Sequence, residues 1–248
     1  MTYIRYSIQG LAYKKMHDIE IILPVYNEEA ILEENALKVA GFLKKSGYTY
    51  KIIIADNGSI DNTFGIAEKL KSKNLNIAVL KFKKKGRGRV LKSMIKDSKC
   101  PVIGYMDIDL STDISHFPGM YNEIGNGYDI IMGSRLLPSS VVQRSLVREA
   151  LSRAYSCLVR NTLKLPCFDY QCGFKLFKRE RILPLIYLIK NDNWFFDTEL
   201  IYHAFRKGLK VKEVAVRWRE RKWGRVKLIP AIIESIAGIL RLKYDSAL

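Results

Sequence analysis

The sequence predicts an α/β fold with a doubly wound sheet flanked by helices, and three observations carry that expectation. Apolar runs of strand length alternate with segments of helical rhythm from Ile19 onward. Three of those runs end in polar clusters, at 26–29, 56–59 and 107–111, and open sheets of this kind bind ligands at the C-terminal edge of their strands. No proline-, glycine- or serine-rich linker and no internal repeat interrupts the 248 residues, 48% of which are hydrophobic, so one large domain is expected.

The elements follow in order. Ile19 to Pro24 reads as a strand, and after Val25-Tyr26-Asn27-Glu28-Glu29 the residues Ile31, Leu32, Ala36, Leu37, Val39, Ala40 and Leu43 keep a helical spacing. Lys51 to Ala55 is a second strand, ending at Asp56-Asn57-Gly58-Ser59, and Asp61-Asn62-Thr63 caps the helix through Ala67 and Leu70. Ile77 to Phe82 is a third strand running into a basic glycine loop, with a helix from about Val90. Pro101 to Met106 is a fourth, and such alternation by itself predicts a parallel sheet. A strand repeats every second residue, so Asp107 and Asp109 are expected on one face at its end. Two hard oxygen donors there suit Mg²⁺ or Mn²⁺ bridging to substrate phosphates, whereas a pair of solvated turn acids is the plain alternative.

Charge narrows the partners. The formal charge is +17, and anionic partners are implied: phosphorylated substrates, anionic headgroups or nucleic acid. Lys81 to Arg89 carries six cations and no acid; Arg206 to Lys227 carries ten against Glu213 and Glu220. The first run has one aromatic, Phe82, and no base-reading motif, so nucleic-acid binding is not expected. Gly86-Arg87-Gly88 is neither a dinucleotide fingerprint nor a Walker loop, yet its glycines let amides approach a phosphate. Cys100, Cys157, Cys167 and Cys172 lack metal spacing and are read as reduced thiols of a cytosolic protein. Met1 to Lys15 contains no signal-peptide core, and Met16 is an alternative start. No run of about 18 apolar residues could span a bilayer.

Pro24-Val25-Tyr26-Asn27-Glu28-Glu29, Asp56 to Thr63 and Asp107-Ile108-Asp109, in that order, resemble a family 2 inverting glycosyltransferase of the GT-A fold. Further along, Gly133-Ser134-Arg135, Gln143-Arg144-Ser145, Asp169 to Phe177 and Trp194 to Leu200 resemble the polyprenyl-phosphate hexose synthases, the dolichyl-phosphate glucosyltransferases more than the mannosyltransferases. The resemblance covers roughly Ile19 to Lys227 and implies a mixed sheet. It divides the chain into an N-terminal extension (1–17), a GT-A catalytic domain (18–227) and a C-terminal amphipathic helix (228–248).

By that resemblance, Pro24, Tyr26, Asn27 and Glu28 bind the base and ribose of a nucleotide sugar, Asp56 reads the base, and Lys85 or Arg87 lies near it. Asp107 and Asp109 hold the metal, with Ser111 as a third, weaker ligand. Arg135, Arg148 and Ser152 grip the acceptor phosphate, and the latter two are one helical turn apart, within reach of one anion. Arg221, Gly224 and Lys227 belong to a catalytic loop that closes over the donor, with Val226 where the family usually has serine. Asp169 and Gln171, alternating in an expected strand, and Asp197 and Glu199, at a helix start, support sugar or acceptor, though acids at a helix start also simply favour the dipole. The implied donor is UDP-glucose, with GDP-mannose or another acceptor as alternatives; the implied acceptor is a polyprenyl or dolichyl phosphate. A phosphate monoester is already ionised near neutral pH, its second pKa being roughly 6, so no catalytic base is required, and His17, His116 and His203 receive no role.

A lipid acceptor calls for a peripheral enzyme at the cytoplasmic face of a membrane, or one held there by a membrane-protein partner. Leu228 to Leu242 is mostly apolar, with Glu234, Gly238 and Arg241 on one narrow stripe. It reads either as a helix in the headgroup plane or as a core helix on the sheet. Trp194, Trp218 and Trp223 belong to the core or to the lipid path, Trp223 being the one expected to meet the interface.

Overall fold

The computed structural model describes residues 18–221 and 228–245. The first half alternates as expected: β1 (Ile19–Val25), α1 (Leu32–Lys45), β2 (Tyr50–Asp56), α2 (Thr63–Lys73), β3 (Ile77–Lys81), α3 (Arg87–Asp97) and β4 (Val102–Met106). A short 3₁₀ turn leads into α4 (Phe117–Gly125), then β5 (Ile130–Ser134), β6 (Val141–Gln143) and α5 (Leu146–Leu163). The chain continues through β7 (Phe174–Lys178), α6 (Arg179–Ile186), α7 (Phe196–Arg206), β8 (Val211–Ala215), β9 (Arg217–Arg219) and α8 (Leu228–Asp245).

The main sheet has seven strands in the order β3-β2-β1-β4-β7-β5-β8, and β6 pairs with β9 in a small second sheet. β1 to β4 run parallel, as do β5 and β8, but β7 is antiparallel to both of its neighbours. The sheet is therefore mixed, not parallel throughout. The reversal is tied locally: Asp169, just ahead of β7, holds Arg135, just past the end of β5, so the start of β7 and the end of β5 lie at the same edge of the sheet.

Successive strand residues bury on opposite faces. Ile19, Ile21 and Leu23 pack with Leu32, Val39 and Leu43 of α1, Leu70 of α2 and Met120 of α4. Ile22 and Ile53 pack instead with Leu91 of α3, Ile182 of α6, Leu200 of α7, Val159 of α5 and Ile239 of α8. Because β1 and β4 are covered on both sides, nearly all of their residues are apolar.

The strand order turns back at β1, and there the sheet opens. β1 pairs with β4 only as far as Ile22, opposite Tyr105, while its pairing with β2 continues to Val25. Pro24, which has no N–H to give, lies just beyond the last rung with β4. The crevice at this topological switch point is where such a sheet takes its ligand.

Three expectations of local structure change. The glycine loop is shorter than predicted, since α3 starts at Arg87 and not at Val90. Asp169 and Gln171 do not alternate in a strand: Asp169 Oδ1 accepts from the Gln171 N–H at 3.2 Å, folding the segment into a turn. β4 stops at Met106, so Asp107 and Asp109 sit in a turn, closed by the Leu110 N–H donating to Asp107 O at 3.1 Å, with Leu110 at φ 51°. The N-terminal extension (1–17), Trp223, Gly224, Val226 and Lys227 lie outside the described residues.

Candidate active site

The wall nearest β1 and β2 is a set of interlocked turns. Asn27 takes a left-handed conformation, φ 55°, which asparagine tolerates better than most residues. Its N–H donates to Ser59 Oγ (2.9 Å), and its Oδ1 accepts from the Ile60 N–H (2.9 Å). Thr63 Oγ1 accepts from the Glu28 N–H at 2.8 Å, joining this turn to the start of α2. Asp56 is fully buried: its Oδ1 accepts from the Ser59 N–H at 3.0 Å, while Oδ2 has no hydrogen-bond partner among the described residues. A buried carboxylate oxygen left open at a ligand crevice is an acceptor waiting for a donor. Asn57 Oδ1 accepts from the Gly86 N–H (2.7 Å), drawing in the basic loop, and Lys85 Nζ stands 3.7 Å from the centre of the Tyr26 ring.

The opposite wall is the turn after β4. Asp109 accepts twice from Ser111, from its N–H at 2.9 Å and its hydroxyl at 2.7 Å. Ser111 is buried, and its hydroxyl proton goes to Asp109, which orients that carboxylate while the hydroxyl's lone pairs are not spent on this bond. Asn35 of α1 donates to Ile108 O at 2.9 Å and pins the turn from behind. Asp107 takes Arg87 Nη2 on Oδ1 at 3.3 Å. Its side chain is 47% exposed, which limits how far burial can push its carboxyl above the usual range, and Arg87 opposes that push. Gly173 is backed against this acid, since a Cβ there would overlap the carboxylate.

Behind Asp107 lies a buried charge network. Arg87 Nη1 donates to Asp197 Oδ2 at 2.6 Å, and Lys175 Nζ donates to Asp197 Oδ1 at 2.7 Å and to the carbonyls of Tyr170 (3.0 Å) and Cys172 (2.6 Å). The Tyr105 hydroxyl also donates to Asp197. Burial pushes the Asp197 carboxyl up, but Lys175 and Arg87 outweigh it and hold the group below the usual carboxylate range. Burial disfavours the Arg87 charge, yet Asp197 and Asp107 hold it fully protonated.

The third side is built around Trp218 of β9. Trp218 bridges to Thr112, and the Arg219 N–H donates to Ser111 O at 2.8 Å, so β9 lies directly against the Asp109 turn. The guanidinium groups of Arg135 and Arg144 stand 5.7 Å and 6.0 Å from the Trp218 ring centre. Arg135 grips Asp169 with Nε (2.7 Å) and Nη2 (2.8 Å). Burial raises the Asp169 carboxyl, and the stronger pull of Arg135 brings it below the usual range. Arg148 and Ser152 share a face of α5 but do not converge: Arg148 pairs with Glu220 at 2.9 Å, and Ser152 Oγ accepts from Arg144 at 3.0 Å. Each is held by a separate neighbour, so the single anion site expected from their spacing is not formed in this structure.

The profile of Glycosyl transferase family 2 matches residues 20–182. The chain belongs to that family. Its relatives include the glycosyltransferase AglD of Haloferax volcanii, 33% identical over 90% of this chain, although the chain spans only 36% of AglD. The dolichyl-phosphate beta-glucosyltransferase of Dictyostelium discoideum is 31% identical over 91% of this chain and 74% of its own length. Among solved structures, a UDP complex of glucosyl-3-phosphoglycerate synthase from Mycobacterium tuberculosis superposes with a TM-score of 0.71, covering 92% of this chain and 80% of that one. At 19% identity that likeness shows the fold alone, which is GT-A.

In this family 2 glycosyltransferase, Pro24, Tyr26, Asn27, Glu28, Asp56, Lys85, Arg87, Asp107 and Asp109 all border the crevice at the switch point. Glu199 does not. It is buried, accepts from the N–H groups of Lys190 (3.0 Å) and Asn191 (2.9 Å), and pairs with Arg241 of α8 at 2.7 Å, so it clamps elements together and is not free for a sugar hydroxyl. Asp197 is likewise saturated by protein groups. Gln171 is exposed, and Arg221 is exposed just past β9. Lys175, Tyr105, Arg144 and Glu220 are missing from the sequence-based site. A lysine inside the apolar run Phe174-Lys175-Leu176-Phe177 was the available signal, because a charge on a buried strand needs a dedicated partner.

Proposed function

We propose that this glycosyltransferase moves glucose from UDP-glucose to a polyprenyl phosphate such as dolichyl phosphate, inverting the anomeric centre to give a β-linked lipid-phosphate sugar. The observation that carries the reading is the seating of β9 against the Asp109 turn, with the guanidinium groups of Arg135 and Arg144 within 6.0 Å of the centre of the β9 Trp218 ring. Relatives named dolichyl-phosphate beta-glucosyltransferase support glucose as the sugar and dolichyl phosphate as the acceptor.

Asp107 and Asp109 fit a Mg²⁺ or Mn²⁺ ion: both are hard oxygen donors, and the missing side chain of Gly173 leaves the Asp107 carboxylate its room. Among the described residues no group of three His, Cys, Asp or Glu forms a metal cluster, so donor phosphates and water would complete the coordination. When bound, the ion offsets the charge that develops on the departing diphosphate. Tyr26, Asn27 and Glu28 frame the nucleoside, and the open oxygen of Asp56 accepts from its base. Arg135 and Arg148 neutralise the acceptor phosphate and hold an oxygen in line behind the anomeric carbon, Arg148 exchanging Glu220 for substrate. Arg221, exposed just past β9, would add positive charge toward the donor diphosphate. The acceptor oxygen is already anionic, so no protein base takes a proton.

A membrane surface is the partner that this acceptor demands. The polar stripe of α8 faces the protein: Glu234 accepts from Asn191 (2.6 Å), Gly238 is packed on Phe195, and Arg241 pairs with Glu199. Ile232, Ile233, Ile236, Leu240 and Tyr244 are left exposed. α5 packs beside α8 and exposes Leu146, Val147, Leu151 and Leu158. Two adjacent helices with outward apolar stripes, on a chain of net charge +17, suit the headgroup plane of an anionic leaflet. No helix of the described residues is long and apolar enough to cross a membrane. A peripheral position at the cytoplasmic face agrees with four unpaired cysteines.

The test is transfer of labelled sugar to a short polyprenyl phosphate, from UDP-glucose and separately from GDP-mannose, with Mg²⁺, Mn²⁺ or chelator. Metal-dependent β-linked product from UDP-glucose is expected. Product from GDP-mannose alone would replace the donor, and no product from either donor with folded protein and lipid present would refute the acceptor.

A further inference from the structure

Arg87 and Lys175 are two buried cations that share one buried anion, Asp197. Lys175 has spent its three N–H donors on Asp197 and two backbone carbonyls, so its charge stays where it is. Arg87 has not. Its Nη2 bond to Asp107 is long at 3.3 Å, and its Nε is buried with no partner among the described residues. The faces of Tyr105 (5.1 Å) and Trp194 (5.3 Å) confine its guanidinium between them. The surplus positive charge of the network therefore points at Asp107, the acid on which the metal reading depends.

We infer that Arg87 competes with the divalent cation for Asp107, and that Asp197 is a positioning residue which sets metal affinity by holding Arg87 back. In the donor-free enzyme Arg87 is the counter-cation of Asp107. Asp197, already compensated by Lys175, holds the guanidinium by its other edge and keeps the Asp107 contact long. When the cation takes Asp107, Nη2 is released, while Asp197 keeps hold of Nη1.

The inference rests on the metal reading of Asp107 and Asp109, and binding of Mn²⁺ alone separates the two. The free-ion electron paramagnetic resonance signal would be titrated against the full chain without nucleotide. Asp197→Asn keeps the shape but frees Arg87 to close on Asp107, and the Mn²⁺ dissociation constant should rise about ten-fold. Arg87→Gln removes the competitor and should tighten Mn²⁺ several-fold. Arg87→Lys decides between contact and field: it keeps the charge, but one ammonium cannot span both carboxylates. Tighter binding in Arg87→Lys supports direct competition, whereas an unchanged constant overturns it. Should Asp197→Asn fail to fold, the two Arg87 variants still decide. Mn²⁺ binding that ignores both residues refutes this inference only; a wild-type chain that binds no Mn²⁺ refutes the metal reading itself.

Discussion

Asp109 and Arg148 are held by quite different means, and their variants should fail in different ways. Asp109 is oriented by the amide and hydroxyl of Ser111, and among the described residues no cation pairs with it. Asp109→Ala should lower turnover at least about 1000-fold while the melting temperature hardly moves, because it removes charge stabilisation needed in the transition state. Equal turnover in Asp109→Ala would sink its assignment to the metal. Arg148 is 40% exposed and paired to Glu220, and breaking that surface pair costs little by itself. Its loss should appear as an acceptor KM raised about ten-fold, the worth of one charge-assisted hydrogen bond, with the KM for UDP-glucose unchanged. Unaltered acceptor saturation would move the phosphate site elsewhere. Asp169 is a third case, since it is buried against Arg135 and its folded pKa lies below the unfolded value. Its stabilisation is therefore present in full above about pH 4 and lost as pH falls through the folded value. Melting temperature against pH should drop below about pH 4, with a shallower acid limb in Asp169→Asn. An unchanged limb would show that the pair contributes nothing to acid stability.

At the scale of elements, the turn before β7 joins the two halves of the site. Its carbonyls hold Lys175, its Asp169 holds Arg135, and its Gly173 backs onto Asp107. Gly173→Ala should therefore cut turnover sharply, because the new methyl must displace either the Asp107 carboxylate or β7 itself. Full activity in Gly173→Ala would mean that the Asp107 position is not critical. This element was the least legible in the sequence. The ends of β1, β2 and β4 were readable because an apolar strand stops abruptly at polar residues, and that local contrast is written in consecutive positions. The turn at Asp169, by contrast, is fixed by Arg135 and Glu213, residues more than 30 positions away, and Glu213 accepts from the Phe168 and Asp169 N–H groups at 2.8 Å. Spacing along one segment carries no trace of such contacts. Likewise Arg148 and Ser152 were rightly placed one helical turn apart, but their separation onto Glu220 and Arg144 depends on β9, which the spacing could not supply.

Over the whole molecule, the proposed reading puts the donor crevice and the acceptor arginines at one edge of the sheet, while α5 packs on α8 and both helices expose apolar side chains. Arg148 and Ser152 lie on the same helix as Leu151 and Leu158, so an acceptor phosphate reaching the arginines would come from the surface on which the helix lies. An amphipathic helix ordinarily turns its apolar face inward. In α8 the side committed to the protein carries Glu234 and Arg241 beside the buried Ile239 and Leu242, while Ile232, Ile233 and Ile236 are left outside at a cost that another medium can offset. A bilayer interface does so without closing the crevice. The full chain should therefore float with vesicles containing phosphatidylglycerol and less with phosphatidylcholine alone, since each cation near an anionic leaflet contributes about 1 kcal/mol. Ile233→Glu with Ile236→Glu, or Leu151→Glu with Leu158→Glu, should abolish flotation yet leave UDP binding intact, because neither pair touches the crevice. Variants that float like the wild type would refute the surface, as would a wild-type chain that stays unbound. A dimer in solution that these substitutions split would assign the same face to a second copy of the chain, leaving the lipid to enter by another path.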